Sequence, residues 1–442
     1  MCIRDRVAGY SLTVGTFILI AGRFGDIFGH KRMLIIGFVW NALWCLVAGA
    51  SYYSNYVLFV FARVLQGIGP AICLPNGLAI LGATYPAGNK KNMVFALFGA
   101  TAPVGAVVGA VFAALFGQVA HFWPWTFFSF AIALALLAIA GAIAIPSMSL
   151  SEEVDRMSLR EKIRQLDLIG GLLGITALVL INFAWNQSGV VTWHKAYVYV
   201  LLIIGILILP VFFWWEQKKA INPLLPFSIF TADINFVLVL VALGWGSFGV
   251  FSFYTFNFLL VARNIHPMLT SAMFTPVAVS GCIAAITTGV LLSRLRAAWV
   301  MTLALTAFLV GNILIGTAPV DQTYWAQTFV CFLVVTFGMD MSFPAATVII
   351  SNALPKHHQG MGASLVNTVV NYSISLSLGF AGTVEANVAN GSVLRGYRGA
   401  FYMSFGLAGT GLIISLIFLA RSYVISTREG EVETSEKDAE KA

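Results

Sequence analysis

Thirteen apolar runs, each close to or above bilayer-spanning length, occupy residues 7–28, 33–50, 56–84, 92–117, 124–146, 167–185, 196–215, 236–261, 268–292, 299–318, 324–352, 360–388 and 399–421. About 20 helical residues, at ~1.5 Å rise each, cross a hydrocarbon core of ~30 Å. Backbone in lipid must satisfy its own hydrogen bonds, so these runs predict helices. Strands of a membrane barrel are ~9–11 residues long and alternate apolar with polar, unlike any of these runs. The spacing predicts an all-α integral membrane fold. Residues 1–146 form a first helix bundle, 147–166 a charged loop, and 167–235 two linker helices and a polar joint with Pro223 and Pro226. Residues 236–421 form a closing six-helix bundle, and the polar, mostly acidic tail 422–442 reads as disordered.

Composition agrees with this pattern. The chain is 59% hydrophobic and 10% charged, with a mean hydropathy of +0.88, whereas soluble domains carry about 25% charged residues. Basic residues give the orientation. With odd-numbered runs directed inward, eighteen Lys and Arg fall in inner loops and tail. Four fall outside (Lys195, Arg263, Arg395, Arg398), and Arg4, Arg6 and Arg63 complete the total of 25. Positive charge favours the cytoplasmic side, so the C-terminus is placed there. The net charge of +7 follows from this distribution and carries no signal for nucleic acid. The same topology puts the N-terminus outside, although Met1–Arg6 offer no signal peptide. An absent first helix accounts for that, and the plan becomes six, two, six helices. Two such halves place a site between them at the membrane midplane.

The loop after the first run reads Gly22-Arg-Phe-Gly-Asp-Ile-Phe-Gly-His-Lys-Arg32. Gly22 and Gly29 permit close approach and tight turning. Asp26 is a carboxylate at a helix end beside Lys31 and Arg32, open to a neighbouring helix N-terminus or simply part of a positive inner loop. A weak echo, Gly289-Val-Leu-Leu-Ser-Arg294, sits at the matching place in the closing bundle but lacks the carboxylate.

These residues resemble the loop signature of the major facilitator superfamily. Arg63-Val-Leu-Gln66-Gly67-Ile-Gly69 is similar to that family's fourth-helix motif, and Gly99-Ala-Thr-Ala-Pro103-Val-Gly105-Ala-Val-Val-Gly109 to its fifth-helix antiporter motif. The six-two-six plan resembles the fourteen-span drug:proton antiporter branch, and 52–98 is similar to fungal aminotriazole-resistance exporters. The resemblance covers essentially the whole chain. It implies a two-bundle transporter in which the 22–32 loop governs conformational change, Arg63 helps couple protons to substrate, and Pro103 with Gly99, Gly105 and Gly109 bends and packs its helix. Three positions depart from the pattern: Ile27 and His30 stand where basic residues are usual, and Ala102 where Gly commonly precedes the proline.

Polar residues inside the runs are the candidate site. A charge at a helix centre costs ~2.5–3.5 kcal/mol on insertion scales, so Arg63 reads as facing a polar interior, or as snorkelling to headgroups. Gln66 and Asn76 extend a polar stripe from it. Asp340, mid-run, fits a proton carrier, a counter-charge for a cationic substrate, or a hydrogen bond to a neighbouring helix. Asn367 and Asn371, four apart, share one helix face and either line a cavity or bond between helices. Gly105 and Gly109 also fit plain helix packing. Asn186-Gln-Ser188 and Asn390-Gly-Ser392 are glycosylation sequons in outer loops, and Glu385 reads as a solvated surface residue near an outer helix end.

The expected function is secondary active transport, led by proton-coupled export of a small organic compound by alternating access. The alternatives are carriage of a small polar solute such as ammonium or borate, and a non-transporting membrane sensor. Partners are substrate, protons and lipid, with a monomer expected in the plasma or vacuolar membrane. No cofactor or metal is expected. The sequence has no nucleotide-binding glycine loop, no His-Glu-xx-His string, and five cysteines without ligand spacing; an enzyme is not the reading.

Overall fold

The computed structural model describes residues 3–85, 89–119, 121–146, 157–191, 193–220, 222–224, 230–353 and 359–439. Met1, Cys2, loop residues 147–156, Pro226 in the joint and Lys356 lie outside the described residues. Among the described residues sixteen α-helices follow in order: α1 (Ile3–Phe28), α2 (His30–Ala50), α3 (Tyr56–Gln66), α4 (Ile68–Thr84), α5 (Asn89–Ala114), α6 (Pro124–Ala144), α7 (Leu159–Arg164) and α8 (Leu168–Val191). The rest are α9 (Ala196–Lys218), α10 (Ala232–Asn257), α11 (Pro267–Met273), α12 (Thr275–Arg294), α13 (Ala297–Thr317), α14 (Gln327–Ala353), α15 (Gln359–Val388) and α16 (Val393–Ala439). No strand occurs among the described residues.

Every apolar run is helical. Run 56–84 is two helices meeting at Gly67, and run 268–292 is two meeting at Phe274. Among the described residues, eleven spans are long and apolar enough to cross a membrane, and α1 makes a twelfth when its halves Gly9–Ile18 and Ile20–Phe28, bent by 49°, are taken as one. The expected thirteenth, α15, falls short. Ser364, Asn367, Thr368, Asn371, Ser373, Ser375 and Ser377 dilute its apolar residues. A helix this polar needs protein on its sides, and α1, α8, α10, α14 and α16 surround it.

The tail also differs from expectation. α16 continues unbroken to Ala439; its last stretch has no proline, and Glu429, Glu431, Glu433 and Glu436 favour helix.

Packing is uneven. The closing helices α10–α16 share one large core, in which Tyr254, Phe258, Phe308, Phe332 and Phe401 are fully buried. The first set holds smaller clusters around Cys45 and Phe59. α5 rests mainly on α11 and α12 of the closing set, with little contact to α4. Large apolar side chains face outward on α6 and α9, such as Ile143 at 81% exposure and Leu207 at 64%. In water such faces would be costly; in lipid they are solvated.

Two of the four cations expected in outer loops have structural duties. Arg398 donates to the carbonyls of Gly316 and Ala318 and lies 5.4 Å over the Phe258 ring, closing the C-terminus of α13. Arg263 donates to the Pro319 carbonyl at 2.8 Å and to Thr328 Oγ1 at 3.1 Å.

Candidate transport site

The two sets of helices meet along two lines. On one, Gly15 of α1 lies against the α15 backbone: a Cβ there would stand 2.7 Å from the Tyr372 nitrogen. On the other, the Pro103 ring of α5 lies against Gly281 of α12, where a Cβ would stand 2.4 Å from Pro103 Cγ and 3.2 Å from Asp340 Oδ2. Only glycine allows approaches this close.

Asp340 is therefore on the seam. It is 9% exposed, and its Oδ2 has no hydrogen-bond partner. Close by, Ser280 and Thr336 share a hydrogen bond of 2.8 Å between α12 and α14. A buried carboxylate oxygen without a partner is costly, and taking up a proton or a cation relieves it.

One turn from this contact, toward the C-terminal ends of α5 and α10, a cavity of about 390 Å³ opens between α5, α10, α12 and α15. Val107 is four residues beyond Pro103 and Val277 four before Gly281, so both valines form its floor next to the clamp. Phe248, Phe253, Phe256 and Phe274 supply aromatic walls, with Ser252 and Asn257 as polar points. No Asp, Glu, Lys or Arg is among its lining residues.

Of the six residues expected to couple protons or line a substrate cavity (Arg63, Gln66, Asn76, Asp340, Asn367 and Asn371), none lines this cavity. Arg63 turns into the first set. It donates to Gln66 Oε1, and its guanidinium lies 4.7 Å over the Tyr10 ring and 5.8 Å over Phe127. Snorkelling is replaced by stacking on α1 and α6. Gln66, 2% exposed, passes the relay to Cys45 Sγ at 2.8 Å.

Asn76 of α4, fully buried, is bonded to the end of the loop 22–32. Its Nδ2 donates to the carbonyls of Ile72 (2.7 Å) and Ala21 (3.3 Å), so its Oδ1 accepts from His30 Nδ1 at 2.8 Å. His30 Nε2 lies 3.5 Å from Asp26 Oδ1. The residue standing in place of a family arginine thus takes up the link itself. Asp26 is 62% exposed and pairs with His30; no ion pair to Lys31 or Arg32 is seen. Gly29 has φ 94°, which favours glycine. Gly22 faces Ser364 of α15, a Cβ there falling 3.1 Å from its Oγ.

Asn367, 7% exposed, and Asn371 lie on α15, where Asn371 Nδ2 donates back to the Asn367 carbonyl at 3.0 Å. Gly99, Gly105 and Gly109 have nothing within 4 Å of a Cβ. Gly105 and Gly109 lie on the face of α5 opposite Pro103 and Val107, which meet α12, while Gly99 is one turn before Pro103 on the same face and has open space beside it. Glu385 is not solvated as expected: its Oε2 accepts from the buried Tyr254 hydroxyl at 2.7 Å.

Gly281 carries no signal in its run beyond being a glycine. A second omission is the acidic pair at the ends of α8 and α9. Asp167 Oδ2 and Glu216 Oε1 both crowd Gly170, Glu216 is 3% exposed, and Trp215 Nε1 donates to Asp167 Oδ1 at 2.9 Å.

Two helix sets in lipid, a buried seam carboxyl and a cavity between the sets are the features of a multi-pass membrane transporter. The sequence profile of the Major Facilitator Superfamily matches residues 6–380 and 234–441. The chain belongs to that superfamily. It is 53% identical over 95% of its length, and 80% of the relative's, to the low affinity ammonium transporter of Saccharomyces cerevisiae. It is 43% identical to the efflux pump terG of Aspergillus terreus over 94% of this chain and 79% of that one. It is 39% identical to the aminotriazole resistance protein of S. cerevisiae over 96% and 78%. In fold it is similar to a peptide transporter of the POT group solved with sulfate, with a TM-score of 0.65 at 16% identity, covering 96% of this chain and 87% of that one. The fungal drug-transporter resemblance and the all-helical transporter fold hold.

Proposed function

We propose that this protein exports small organic compounds in exchange for protons, its two bundles exposing the seam to each side in turn. The observation that carries this reading is Asp340, buried at the Pro103–Gly281 contact with an unfilled oxygen. The carboxyl takes a proton on one side and gives it up on the other, and its charge state changes the cost of closing the seam. The neighbouring cavity, with four phenylalanines, suits an organic compound. Arg63, Gln66 and Cys45 stiffen the first bundle beside it. The His30–Asn76 link at the loop 22–32 resists inward opening. Efflux-pump relatives favour the outward direction. The basic inner loops support a cytoplasmic C-terminus, in a plasma or vacuolar membrane, with one chain sufficient for the site.

A second reading is carriage of ammonium or a similar small polar solute, favoured by the name of the 53% identical relative. A cavity of about 390 Å³ is roughly ten times the ~30 Å³ share of a single water, which fits a larger molecule better.

The test is purified protein in liposomes under an imposed pH gradient, with a panel of organic compounds and ammonium. Compound-dependent proton flux that disappears in Asp340→Asn is expected. Flux with ammonium alone selects the second reading, and unchanged coupling in Asp340→Asn overturns the role of this carboxyl.

A further inference from the structure

The helix expected to be a linker, α8, is bonded to α15 through much of the membrane. Tyr372 Oη donates to the Leu178 carbonyl at 3.2 Å. Ser375 Oγ donates to Asn182 Oδ1 at 2.9 Å, and Asn186 Nδ2 donates to the Ser375 carbonyl at 3.3 Å. Ser188 and Thr383 share a hydrogen bond of 2.9 Å. The Trp185 and Phe380 rings stand edge to face at 4.5 Å, and Gly379 lets the Trp185 backbone approach: a Cβ there would lie 3.0 Å from its carbonyl carbon. Positions 178, 182 and 185/186 share one face of α8, as 372, 375, 379 and 383 share one face of α15. Asn182 is 1% exposed and Ser375 fully buried.

The contact of α8 with α1 is of another kind. Ile20 fills the space at Gly171, where a Cβ would stand 2.3 Å from its Cδ1. One turn on, Arg23 Nη2 donates to the carbonyl of Pro223, in the joint that follows α9. Buried hydrogen bonds away from water have no solvent to replace them, so surfaces joined by several stay together. The apolar contact at Gly171 separates without leaving a polar group orphaned, and only the single Arg23–Pro223 bond has to be given up, against four hydrogen bonds between α8 and α15.

We infer that α8 is a working part of the closing bundle: Asn182 positions α15, the two helices move as one body, and the contacts that open are those at Ile20–Gly171 and Arg23–Pro223. This rests on the reading that the bundles move against each other. It makes the α8–α9 hairpin a strap that carries the motion of α15 to the loop 22–32, rather than a slack tether.

The experiment reads distance, so it is separate from the flux assay that tests transport itself. Spin labels are placed on the full chain in nanodiscs, with native cysteines replaced by alanine, at His194→Cys with Asn387→Cys for α8 against α15. Arg32→Cys with Ile169→Cys reports the inner end of α8 against the first bundle. Distances are compared at pH 5.5, at pH 8 and in Asp340→Asn. The first pair is expected to hold one narrow distribution throughout and the second to shift. Asn182→Leu is expected to broaden the first pair, and Asn182→Ser, which keeps an acceptor for Ser375, to restore it. A first pair that shifts, a second pair that stays fixed, or an Asn182→Leu variant with an unchanged narrow distribution overturns the inference.

Discussion

The Pro103 ring occupies the space that a side chain at Gly281 would need, with its Cγ 2.4 Å from the position of a Cβ and Asp340 Oδ2 just beyond at 3.2 Å. A methyl group at 281 must push back either α5 or the Asp340 carboxyl. Overpacking of this kind costs ~1–3 kcal/mol. Gly281→Ala is therefore expected to lower compound-dependent proton flux at least tenfold in liposomes, with protein still inserted. Gly289→Ala on the same helix has open space at its Cβ and gains ~1 kcal/mol of helix propensity, so its flux and thermal midpoint in detergent should equal or exceed the parent's. Equal loss in both variants would show that the contact has no special role.

The fifth-helix motif gives the opposite forecast. Its glycines 105 and 109 meet nothing within 4 Å of a Cβ, so Gly105→Ala and Gly109→Ala are expected to leave flux within twofold of the parent. Pro103→Ala, which removes the ring from the clamp, should lower it clearly. A severe loss in either glycine variant, measured at matched protein density, means that another state of the protein brings those glycines into contact.

The helices are legible in the sequence because length and hydropathy alone decide them, even for the run that breaks at Gly67. Facing direction is less so. Arg63, Gln66 and Asn76 read as one polar stripe because polarity in an apolar helix demands some polar neighbour without naming it. In the structure Arg63 and Gln66 turn to Tyr10 and Cys45, while Asn76 reaches the loop 22–32 through His30. Asp340 is legible as a buried carboxyl, but its seam position depends on Pro103 and Gly281, far apart in sequence. The polar residues of α15 carry the clearest missed signal. Seven Ser, Thr and Asn within residues 364–377 require partners, and Asn182, in the middle of another apolar run, is one of them.

Asn186 satisfies the sequon rule yet is unavailable to it. Its Nδ2 donates to the Asn182 carbonyl at 3.0 Å, to Asn182 Oδ1 at 2.8 Å and to the Ser375 carbonyl, while Ser188, 3% exposed, bonds Thr383. Glycan transfer needs that nitrogen free in an extended loop, and here it sits inside α8. Protein expressed in a glycosylating host should show no mobility change at this site: Asn186→Gln is expected to migrate with the parent before and after endoglycosidase. A shift lost only in Asn186→Gln would mean that α8 is assembled after glycosylation.

Arg63 offers a test of stacking against charge. The guanidinium lies 4.7 Å over Tyr10 while donating to Gln66 Oε1, a geometry open to a flat, forked cation and closed to a lysine ammonium on a flexible stem. Cation–π contacts of this kind contribute ~0.5–2 kcal/mol. Removing the donor leaves the 2%-exposed Gln66 short of a partner, at ~1–3 kcal/mol. Arg63→Lys is expected to lower flux about tenfold despite its retained charge, and Arg63→Ala to lower both flux and the thermal midpoint. Tyr10→Phe keeps the ring face and should behave as the parent, whereas Tyr10→Leu should approach Arg63→Lys. Measured together in one liposome preparation, a Tyr10→Leu variant with full flux would sink the stacking argument and leave Arg63 acting through charge alone.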